Sequence, residues 1–472
     1  MTKDRRVPLI VAVALFMENM DATVISTSLP AIAADIGTSP LALKLAVTSY
    51  LLSLAIFIPA SGWTADRFGA RTVFAAAIAV FVVGSIGCAL ATSLTEFVIA
   101  RIIQGMGGAM MTPVGRLVLV RTISRRELVG AMVWVTFPAL IGPVMGPPVG
   151  GFITTYFSWH WIFLINVPIG LAGILLVLRY IENIRAEAHE RFDARGMMLA
   201  GLGVGGLSFG LSVLGLEYLP WPAVAALIGG GALASLAYVA HARRHPAPVL
   251  DLSLLKVSTF RASILGGFLF RVGVGAIPFL LPLLLQVGFK LTPFQSGLIT
   301  FSSALGAMTM KAAITAILKR FGFRTVLTAN ALISSLFLAA CATFTPGMPF
   351  ALIIAVLLVG GFFRSLEFTS INTIAYADIE PKLMGRATAL ASVAQQLSLS
   401  MGVAIGALAV DLTVQFRQQP EITAADFPPA FILVAVISAL AAIVFWRLPP
   451  DAGAELAART PAATESSDQR VG

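Results

Sequence analysis

Charged residues are scarce in this sequence, and their scarcity excludes an ordinary water-soluble protein. Asp, Glu, Lys and Arg together make up 12% of the 472 residues, whereas soluble domains carry about 25%. A soluble fold of this length would need several cores and far more polar surface to cover them. Because 58% of the residues are hydrophobic and the mean hydropathy is +0.90, the composition indicates a protein that lies in lipid.

Cysteine and histidine are also sparse, which argues against a disulfide scaffold, a metal site or an enzyme. The two cysteines, Cys88 and Cys341, fall in apolar blocks far apart in the sequence, and such a spacing forms no disulfide framework. The histidines show no metal-ligand spacing supported by acidic residues. They are His160, His189, His241 and His245. We therefore expect no bound metal, no organic cofactor and no catalytic residue.

The net charge of +9 raises the question of a nucleic-acid partner. Nucleic-acid-binding proteins concentrate their basic residues on one face, together with aromatic residues or a readout motif. Here Lys and Arg instead stand in short runs between apolar blocks, an arrangement that sets the orientation of a membrane protein. We expect the lipid bilayer, and no nucleic acid, among the partners of the chain.

Long apolar segments are what the sequence has in abundance. A membrane-spanning helix needs about 20 mostly apolar residues, and the sequence contains fourteen segments of this kind. They lie at 7–29, 44–64, 72–93, 97–120, 127–155, 161–181, 195–215, 221–241, 260–286, 296–318, 324–344, 349–375, 386–412 and 428–448. The predicted fold class is an all-α polytopic membrane protein.

The positions of Lys and Arg orient the chain. When the N-terminus is placed in the cytoplasm, most of the 32 basic residues fall on the cytoplasmic side, and those expected outside are Lys44, Lys290 and Arg417. Because positive residues are retained in cytoplasmic loops, we predict that both termini are cytoplasmic and that the protein lies in the inner (plasma) membrane.

A repeat divides the segments into two halves. The stretch Ala65–Phe74 returns as Leu318–Leu327 with six identities in ten positions at an offset of 253, and Cys88 and Cys341 share that offset. Repeated halves with a binding site between them are the architecture of secondary transporters. We predict a six-helix half at 1–181, cytoplasmic linkers with two inserted helices at 182–259, a second six-helix half at 260–448, and a disordered cytoplasmic tail at 449–472.

Four motifs carry further information, and the first lies between the second and third segments. It reads Gly62-Trp-Thr-Ala-Asp66-Arg67-Phe-Gly69-Ala-Arg71. Its glycines permit a tight turn that residues with a Cβ would strain, and Asp66 can cap the following helix and pair with basic residues across the loop. A simple charged turn is the alternative, and the recurrence of the pattern at 318–327 argues against it.

The other motifs lie within segments. A charge inside the bilayer costs several kcal/mol unless it is paired or faces water, so Arg101 in Arg101-Ile-Ile-Gln104 is expected to line a cavity, or else to reach the outer interface. In the stretch Gly142–Gly151, small residues allow close helix packing and prolines bend the helix. The fourth motif, Met20–Pro30, places Asp21 in the first segment.

On these motifs the sequence resembles the major facilitator superfamily, in the fourteen-helix drug:proton antiporter branch typified by EmrB and QacA, and most closely the subgroup that contains MdtD and HsrA. The resemblance covers about residues 7–448 and implies two six-helix halves plus two inserted helices. It implies a part in proton coupling for Arg101, a cytoplasmic latch for the first motif and a seal against leak for the third. The implied gating residues are Gly62, Asp66, Arg67, Gly69, Arg71, Gly142, Gly146, Pro147, Gly150 and Gly151.

Ionisable residues inside the segments are the candidate functional groups, because such residues are rare in lipid and face cavities. Glu18 and Asp21 are three residues apart and share one face of the first helix, where two carboxylates disfavour simultaneous ionisation. We expect Asp21, with Glu18 and Arg101, to couple transport to protons. The alternative is that both acids only bond to polar neighbours. The remaining members of the group are Arg116, Arg271, Lys311, Arg364 and Glu367.

Those remaining residues are the predicted substrate cavity. Arg364 and Glu367 are three residues apart and are expected to pair. The basic residues left over favour anionic or zwitterionic cargo, unless they serve to hold the halves together or to neutralise buried acids.

The sequence thus predicts a solute:H⁺ antiporter that exports small amphiphilic drugs or organic anions, uses the proton motive force and acts as a monomer. The alternative within transport is a proton-coupled importer or symporter of a small organic solute, against which the motif from Gly146 to Gly151 argues. A receptor without transport is the alternative outside it.

Overall fold

The computed structural model describes residues 3–123, 127–185, 192–216, 218–418 and 421–456, and within these ranges the chain is helical without a β-strand. Fourteen long helices follow one another. They are α1 (Lys3–Val24), α2 (Lys44–Phe57), α3 (Ala70–Leu90), α4 (Leu94–Thr122), α5 (Leu128–Tyr156), α6 (Asn166–Tyr180), α7 (Ala194–Val213), α8 (Trp221–Ala242), α9 (Ser258–Leu283), α10 (Pro293–Phe321), α11 (Phe323–Ala340), α12 (Phe350–Ile374), α13 (Met384–Arg417) and α14 (Pro428–Ala439).

Thirteen helices of the described residues are long and apolar enough to cross a membrane. Helix α5 is not among the thirteen, because the count covers only described residues and the side chains of some α5 residues lie outside them. Its 29 residues coincide with the segment predicted at 127–155. The all-α membrane fold is therefore confirmed, while the count of fourteen spanning helices stays a prediction.

Four short helices connect or extend the long ones. The segment predicted at 161–181 begins with one of them before α6 starts at Asn166. The short helices are Leu29–Asp35, Ser61–Phe68, Trp161–Leu164 and Ala441–Trp446.

The sequence repeat is also a repeat of backbone geometry. Gly69 and Gly322 immediately precede α3 and α11 with φ angles of +95° and +76°, a region open to glycine at little cost. Cys88 and Cys341 lie at the far ends of the same two helices, and both are buried and free. Helices α3 and α11 thus begin and end at matching positions of the sequence repeat.

Glycines on α5 let it contact two helices at once. A Cβ on Gly150 would lie 2.3 Å from the carbonyl oxygen of Val24 in α1, and one on Gly151 would lie 2.4 Å from that of Pro293 in α10. Gly146 and Gly142, one and two turns earlier than Gly150, also face α1. The third motif therefore holds α5 against its own half and against the other half, as small residues do in membrane helices.

The helix termini define two faces of the bundle. The motif face carries the start of α1 and the short helix Ser61–Phe68, and the opposite face carries the loops that follow α1 and α9. On the opposite face the halves are joined: Gln286 donates to the Thr27 carbonyl at 2.9 Å, and the Phe294 N–H donates to Thr155 Oγ1 at 3.0 Å. Apolar residues of both halves form one buried cluster there.

The inserted helices α7 and α8 pack closely on each other, and α7 also contacts α2 and α13. Close contacts between the halves are made by α5 with α10 and by α2 with α13. The site described next lies between and beside these helices.

Candidate functional site

The predicted proton-coupling residues Asp21 and Arg101 form an ion pair in the interior of the first half. Arg101 Nη1 donates to Asp21 Oδ2 at 2.9 Å, and the side chains are 1% and 0% exposed. A guanidinium in a low-dielectric region needs such a counter-charge. The interaction brings α4 and α1 together across 80 residues of sequence.

Two amides complete the ligation of Asp21. Gln104 Nε2 and Asn166 Nδ2 both donate to Asp21 Oδ1, at 2.9 and 2.8 Å, and both also donate to Ser85 Oγ, at 2.8 and 3.2 Å. Arg101 Nη1 in turn donates to Gln104 Oε1 at 2.6 Å. All of these side chains are buried. Asp21 thus accepts three hydrogen bonds, two on Oδ1 and one on Oδ2.

Arg101 is sealed inside the half. Its guanidinium lies over the ring of Tyr50 at 4.1 Å from the centroid, and its Nε donates to the Ala46 carbonyl at 3.4 Å. The expectation that Arg101 lines a cavity is therefore wrong for this conformation, and so is the alternative that it reaches an interface. Both alternatives overlooked that α1 and α2, together with Gln104 of α4 itself, supply enough partners to bury the charge.

A cavity of about 490 Å³ lies between the two halves, within the range of small-molecule sites. It extends to the motif-face ends of α12 and α13, where Tyr376 and Thr388 line it. From the first half it is lined by Glu18 and Arg116, the acid half-buried and the base exposed. Thr112 Oγ1 donates to Glu18 Oε2 at 2.7 Å. Of the two predicted carboxylates, Glu18 is the one that reaches the cavity.

Tyr50 connects the cavity wall to the sealed ion pair. Its ring lies under Arg101, and its buried hydroxyl has no hydrogen-bond partner among the described residues. A Cβ on Gly108 would lie 3.1 Å from that hydroxyl and 3.8 Å from Glu18 Cγ, so both groups flank the same glycine. Glycine at this position leaves room for the hydroxyl beside Glu18.

The second half contributes Arg271, which lies behind the residues that line the cavity and contacts two of them. Arg271, 3% exposed, donates through Nη2 to Asn372 Oδ1 at 2.7 Å, and its guanidinium lies 5.2 Å from the ring centroid of Phe368. Asn372 and Phe368 line the cavity. Because the amide oxygen is occupied by Arg271, the amide NH₂ of Asn372 is left to donate to other groups.

The three other predicted cavity residues lie elsewhere. Arg364 donates to Ser303 and lines a separate small space inside the second half, whereas the fully buried Glu367 accepts from Asn330 Nδ2 at 2.9 Å. Among the described residues no ion pair joins Arg364 to Glu367, so the predicted pairing is wrong. The spacing of three placed them near one face of α12, but neighbouring helices supplied other partners.

Lys311 is exposed on α10 and donates to Thr369 Oγ1 at 2.8 Å. Of the basic residues predicted to make the cavity positive, Arg116 is the one found on the wall of the space between the halves. The same wall carries the acidic Glu18, so the structure gives no excess of positive charge there.

The first motif is held within its own half in this conformation. Asp66 pairs with Arg121 at the end of α4, and Asn183 after α6 donates to the Phe68 carbonyl at 3.5 Å. A Cβ on Gly69 would lie 2.0 Å from Asn183 Oδ1, so the predicted need for glycine holds here. It fails at Gly62, which lies in the helix Ser61–Phe68 with open space around its Cβ position.

Two further basic residues of this motif have identifiable surroundings. The guanidinium of Arg67 lies 5.7 Å from the ring centroid of Trp63. Arg71 Nε is buried without a hydrogen-bond partner among the described residues. The gating roles of these residues stay predictions.

Several site residues escaped the sequence analysis. Gln104 stood inside the second motif and Asn166 inside the segment at 161–181, and a polar residue within an apolar segment is the signal that could have found them. Ser85, Tyr50 and Asn372 gave no signal of that strength, because single polar residues are common in these helices.

The expectation of no acid-supported histidine cluster is also wrong. Asp193, His241 and His245 present ligand atoms within 4.8 Å of one another. The acid stands 48 residues before the first histidine, so no local spacing could show it. His189 lies outside the described residues.

The family follows from the match of the sequence to known proteins. Residues 11–260 and 263–468 match the model of the Major Facilitator Superfamily. The chain belongs to that superfamily. It is 40% identical over 451 residues, 94% of each chain, to the "Putative multidrug resistance protein MdtD" of Salmonella heidelberg (strain SL476) and to the protein of the same description from Salmonella newport (strain SL254).

Solved structures of major facilitators share the fold at low sequence identity. A D-xylose-proton symporter is 17% identical with a TM-score of 0.68, covering 96% of this chain and 99% of the other. The POT family transporter PepTSo is 16% identical with a TM-score of 0.69, covering 97% and 99%. As a major facilitator, the protein is a multi-pass membrane transporter of small molecules.

Proposed function

We propose that the protein is a solute:H⁺ antiporter that exports small amphiphilic compounds or organic anions across the inner membrane. The observation that carries this proposal is the sealed pair of Asp21 and Arg101 beside a cavity whose wall contains Glu18. The name of the relatives from Salmonella supports export of drugs. One chain contains the whole cavity, which supports a functional monomer.

The direction of transport rests on the orientation of the two faces. The distribution of Lys and Arg predicts that the motif face is cytoplasmic, and the cavity extends toward that face while the opposite face is closed by contacts such as Gln286 with Thr27. The conformation described here would thus accept cargo from the cytoplasm. Release outside requires the contacts on the opposite face to open and the motif face to close.

Proton coupling follows from what happens when Asp21 loses its charge. A proton on Asp21 would leave Arg101, 1% exposed, without its counter-charge, and an uncompensated buried charge costs several kcal/mol. An alternative conformation in which water reaches Arg101 would then be favoured. A ligand shifts a conformational equilibrium by its difference in affinity for the two states, and here the ligand is the proton.

Glu18 and Asp21 would play different parts. Glu18 lies on the cavity wall and is bonded by Thr112, so cargo and protons can both reach it in this conformation. Asp21 is fully ligated and sealed. We assign the conformational role to Asp21 and the competition between cargo and proton to Glu18.

The composition of the wall indicates the class of cargo. Glu18 and Arg116 supply one charge of each sign, and amides such as Asn372 and Gln395 supply further hydrogen bonds beside the ring of Phe368. Such a lining suits compounds that combine polar groups with an apolar part. The organic anions predicted from an excess of basic residues receive weaker support, since Arg116 is balanced by Glu18.

The deciding experiment is flux in proteoliposomes under an imposed pH gradient. We expect cargo to move against the proton flow in the parent, and no proton-driven flux in Asp21→Asn, with the protein still monodisperse in detergent. Glu380→Gln is the matched control, because Glu380 is an exposed acid paired with Lys382 away from the cavity; it should transport as the parent does. Equal pH-driven flux in Asp21→Asn would remove Asp21 from the mechanism, and movement of cargo with the protons would make the protein an importer.

A further inference from the structure

Three potential metal ligands meet where the inserted helices α7 and α8 have adjacent ends. Asp193 directly precedes α7, while His241 lies in the last turn of α8 and His245 follows it. One ligand atom from each residue lies within 4.8 Å of the others. This cluster takes no part in the transport mechanism above.

The backbone places the two histidines on one face. The N–H of His245 donates to the carbonyl of His241 at 3.0 Å, so the helical turn of α8 continues through His245. The imidazole rings stack with centroids 5.2 Å apart. His241 Nε2 lies 2.8 Å from Asp193 Oδ1. Histidines at i and i+4 on a helix, joined by one carboxylate, are a recognised arrangement for transition metals.

Asp193 is held in place by backbone hydrogen bonds. Its oxygens accept hydrogen bonds from the backbone N–H groups of Gly196 at 2.8 Å and Val249 at 3.4 Å. A carboxylate oriented by neighbouring donors is what a metal ligand requires.

We propose that Asp193, His241 and His245 form a binding site for a divalent transition metal of the Zn²⁺ class. Two imidazole nitrogens and one carboxylate oxygen make three ligands, and water completes a tetrahedral set. Ligand atoms around tetrahedral zinc lie about 3.4 Å apart, so the cluster closes by side-chain rotations on the order of 1 Å. The bound metal would tie the start of α7 to the end of α8.

Two features of the surroundings set the affinity. The neighbouring Arg243 and Arg244 are exposed, so their repulsion is reduced by salt but still lowers affinity. The Nδ1 atom of His245 accepts from the Ala247 N–H at 3.2 Å. If the metal binds Nε2, the imidazole proton moves to Nδ1 and this hydrogen bond is lost.

The site is distinguished from a helix cap by His245. Capping of α7 and its link to α8 use the hydrogen bonds of Asp193 and His241, whereas His245 contributes ring stacking on His241. We would titrate Zn²⁺ into the full chain in detergent, purified without a polyhistidine tag, by calorimetry. The parent should show one saturable site, and His245→Ala should weaken binding about tenfold or more. His160→Ala is the matched control and should bind as the parent does.

A second measurement avoids reliance on variants. Co²⁺ added to the parent should give the intense visible absorption of a four-coordinate site, and Zn²⁺ should displace it. Asp193→Asn, which keeps an oxygen acceptor for the Gly196 N–H, should lose this spectrum. Absence of saturable binding in the parent, or equal affinity in the parent and His245→Ala, overturns the proposal and leaves the transport proposal untouched.

Discussion

Asp21 of α1 and Arg101 of α4 meet at 2.9 Å in a place that solvent does not reach. Breaking a buried pair by removing one partner is costly because the other charge remains. Asp21→Ala should therefore lower the free energy of unfolding by about 3–5 kcal/mol, measured as a shift of the thermal transition in detergent. Asp21→Asn should lose less, since its amide oxygen still accepts a hydrogen bond.

The double variant Asp21→Ala with Arg101→Leu provides the control for this prediction. Removing both charges should recover much of the lost stability, since no uncompensated ion is left. Transport should remain absent. A transition temperature for Asp21→Ala equal to that of the parent would show that water reaches Arg101.

Glu18 is predicted to affect binding of cargo more than stability. It is half-buried on the cavity wall, with Thr112 as its hydrogen-bond donor at 2.7 Å. In Glu18→Gln the hydrogen bond is kept and the charge is lost, so the transition temperature should change little. We expect a KM for cargo raised about tenfold, equivalent to about 1.4 kcal/mol, and a weaker dependence of KM on pH. An unchanged KM at every pH would contradict the assignment.

The glycines of α5 supply a test of helix contact with an internal control. Gly150→Ala would bring a Cβ to 2.3 Å from the Val24 carbonyl oxygen, whereas nothing lies within 4 Å of the Cβ position of Gly130 on the same helix. Overpacking costs about 1–3 kcal/mol, so Gly150→Ala should lower the transition temperature and increase passive proton leak in liposomes. Gly130→Ala should do neither. Similar behaviour of the two variants would refute close packing of α5 on α1.

The first motif offers a second glycine pair. Gly69 has φ +95° and Asn183 beside it, whereas Gly62 lies in a short helix with open space around it. Gly69→Ala should therefore strain the backbone by about 1–2 kcal/mol and slow transport, measured as vmax in vesicles. Gly62→Ala should be tolerated. Loss of transport in Gly62→Ala alone would show that Gly62 matters in a conformation other than this one.

Arg271 and Arg364 are two arginines of the second half that lie in different surroundings. Arg271 holds Asn372 at the cavity wall, whereas Arg364 faces a separate internal space. Arg271→Ala should change the ranking of cargo by KM, because the Asn372 amide loses its fixed orientation. Arg364→Ala should leave that ranking unchanged. A substrate screen of organic anions against lipophilic cations in everted vesicles measures both, and identical rankings for parent and Arg271→Ala would count against the wall geometry.

The helices and the repeat could be predicted from the sequence. The mean hydropathy over about 20 residues indicates whether a segment is stable in lipid. The recurrence of Ala65–Phe74 at Leu318–Leu327 indicates that the two halves share one structural unit. That Arg101 must be paired or face water was predictable too, because a lone charge in lipid is costly whatever the fold, but the expected cavity position was wrong for this conformation. These properties belong to single segments.

The partners of the buried groups were decided by the tertiary structure. A spacing of three placed Arg364 and Glu367 near one face of α12, yet each bonds to a different neighbouring helix. Asp21 is ligated by Asn166 from 145 residues away. Helical periodicity states which side chains share a face, but the groups opposite that face depend on how helices distant in sequence pack.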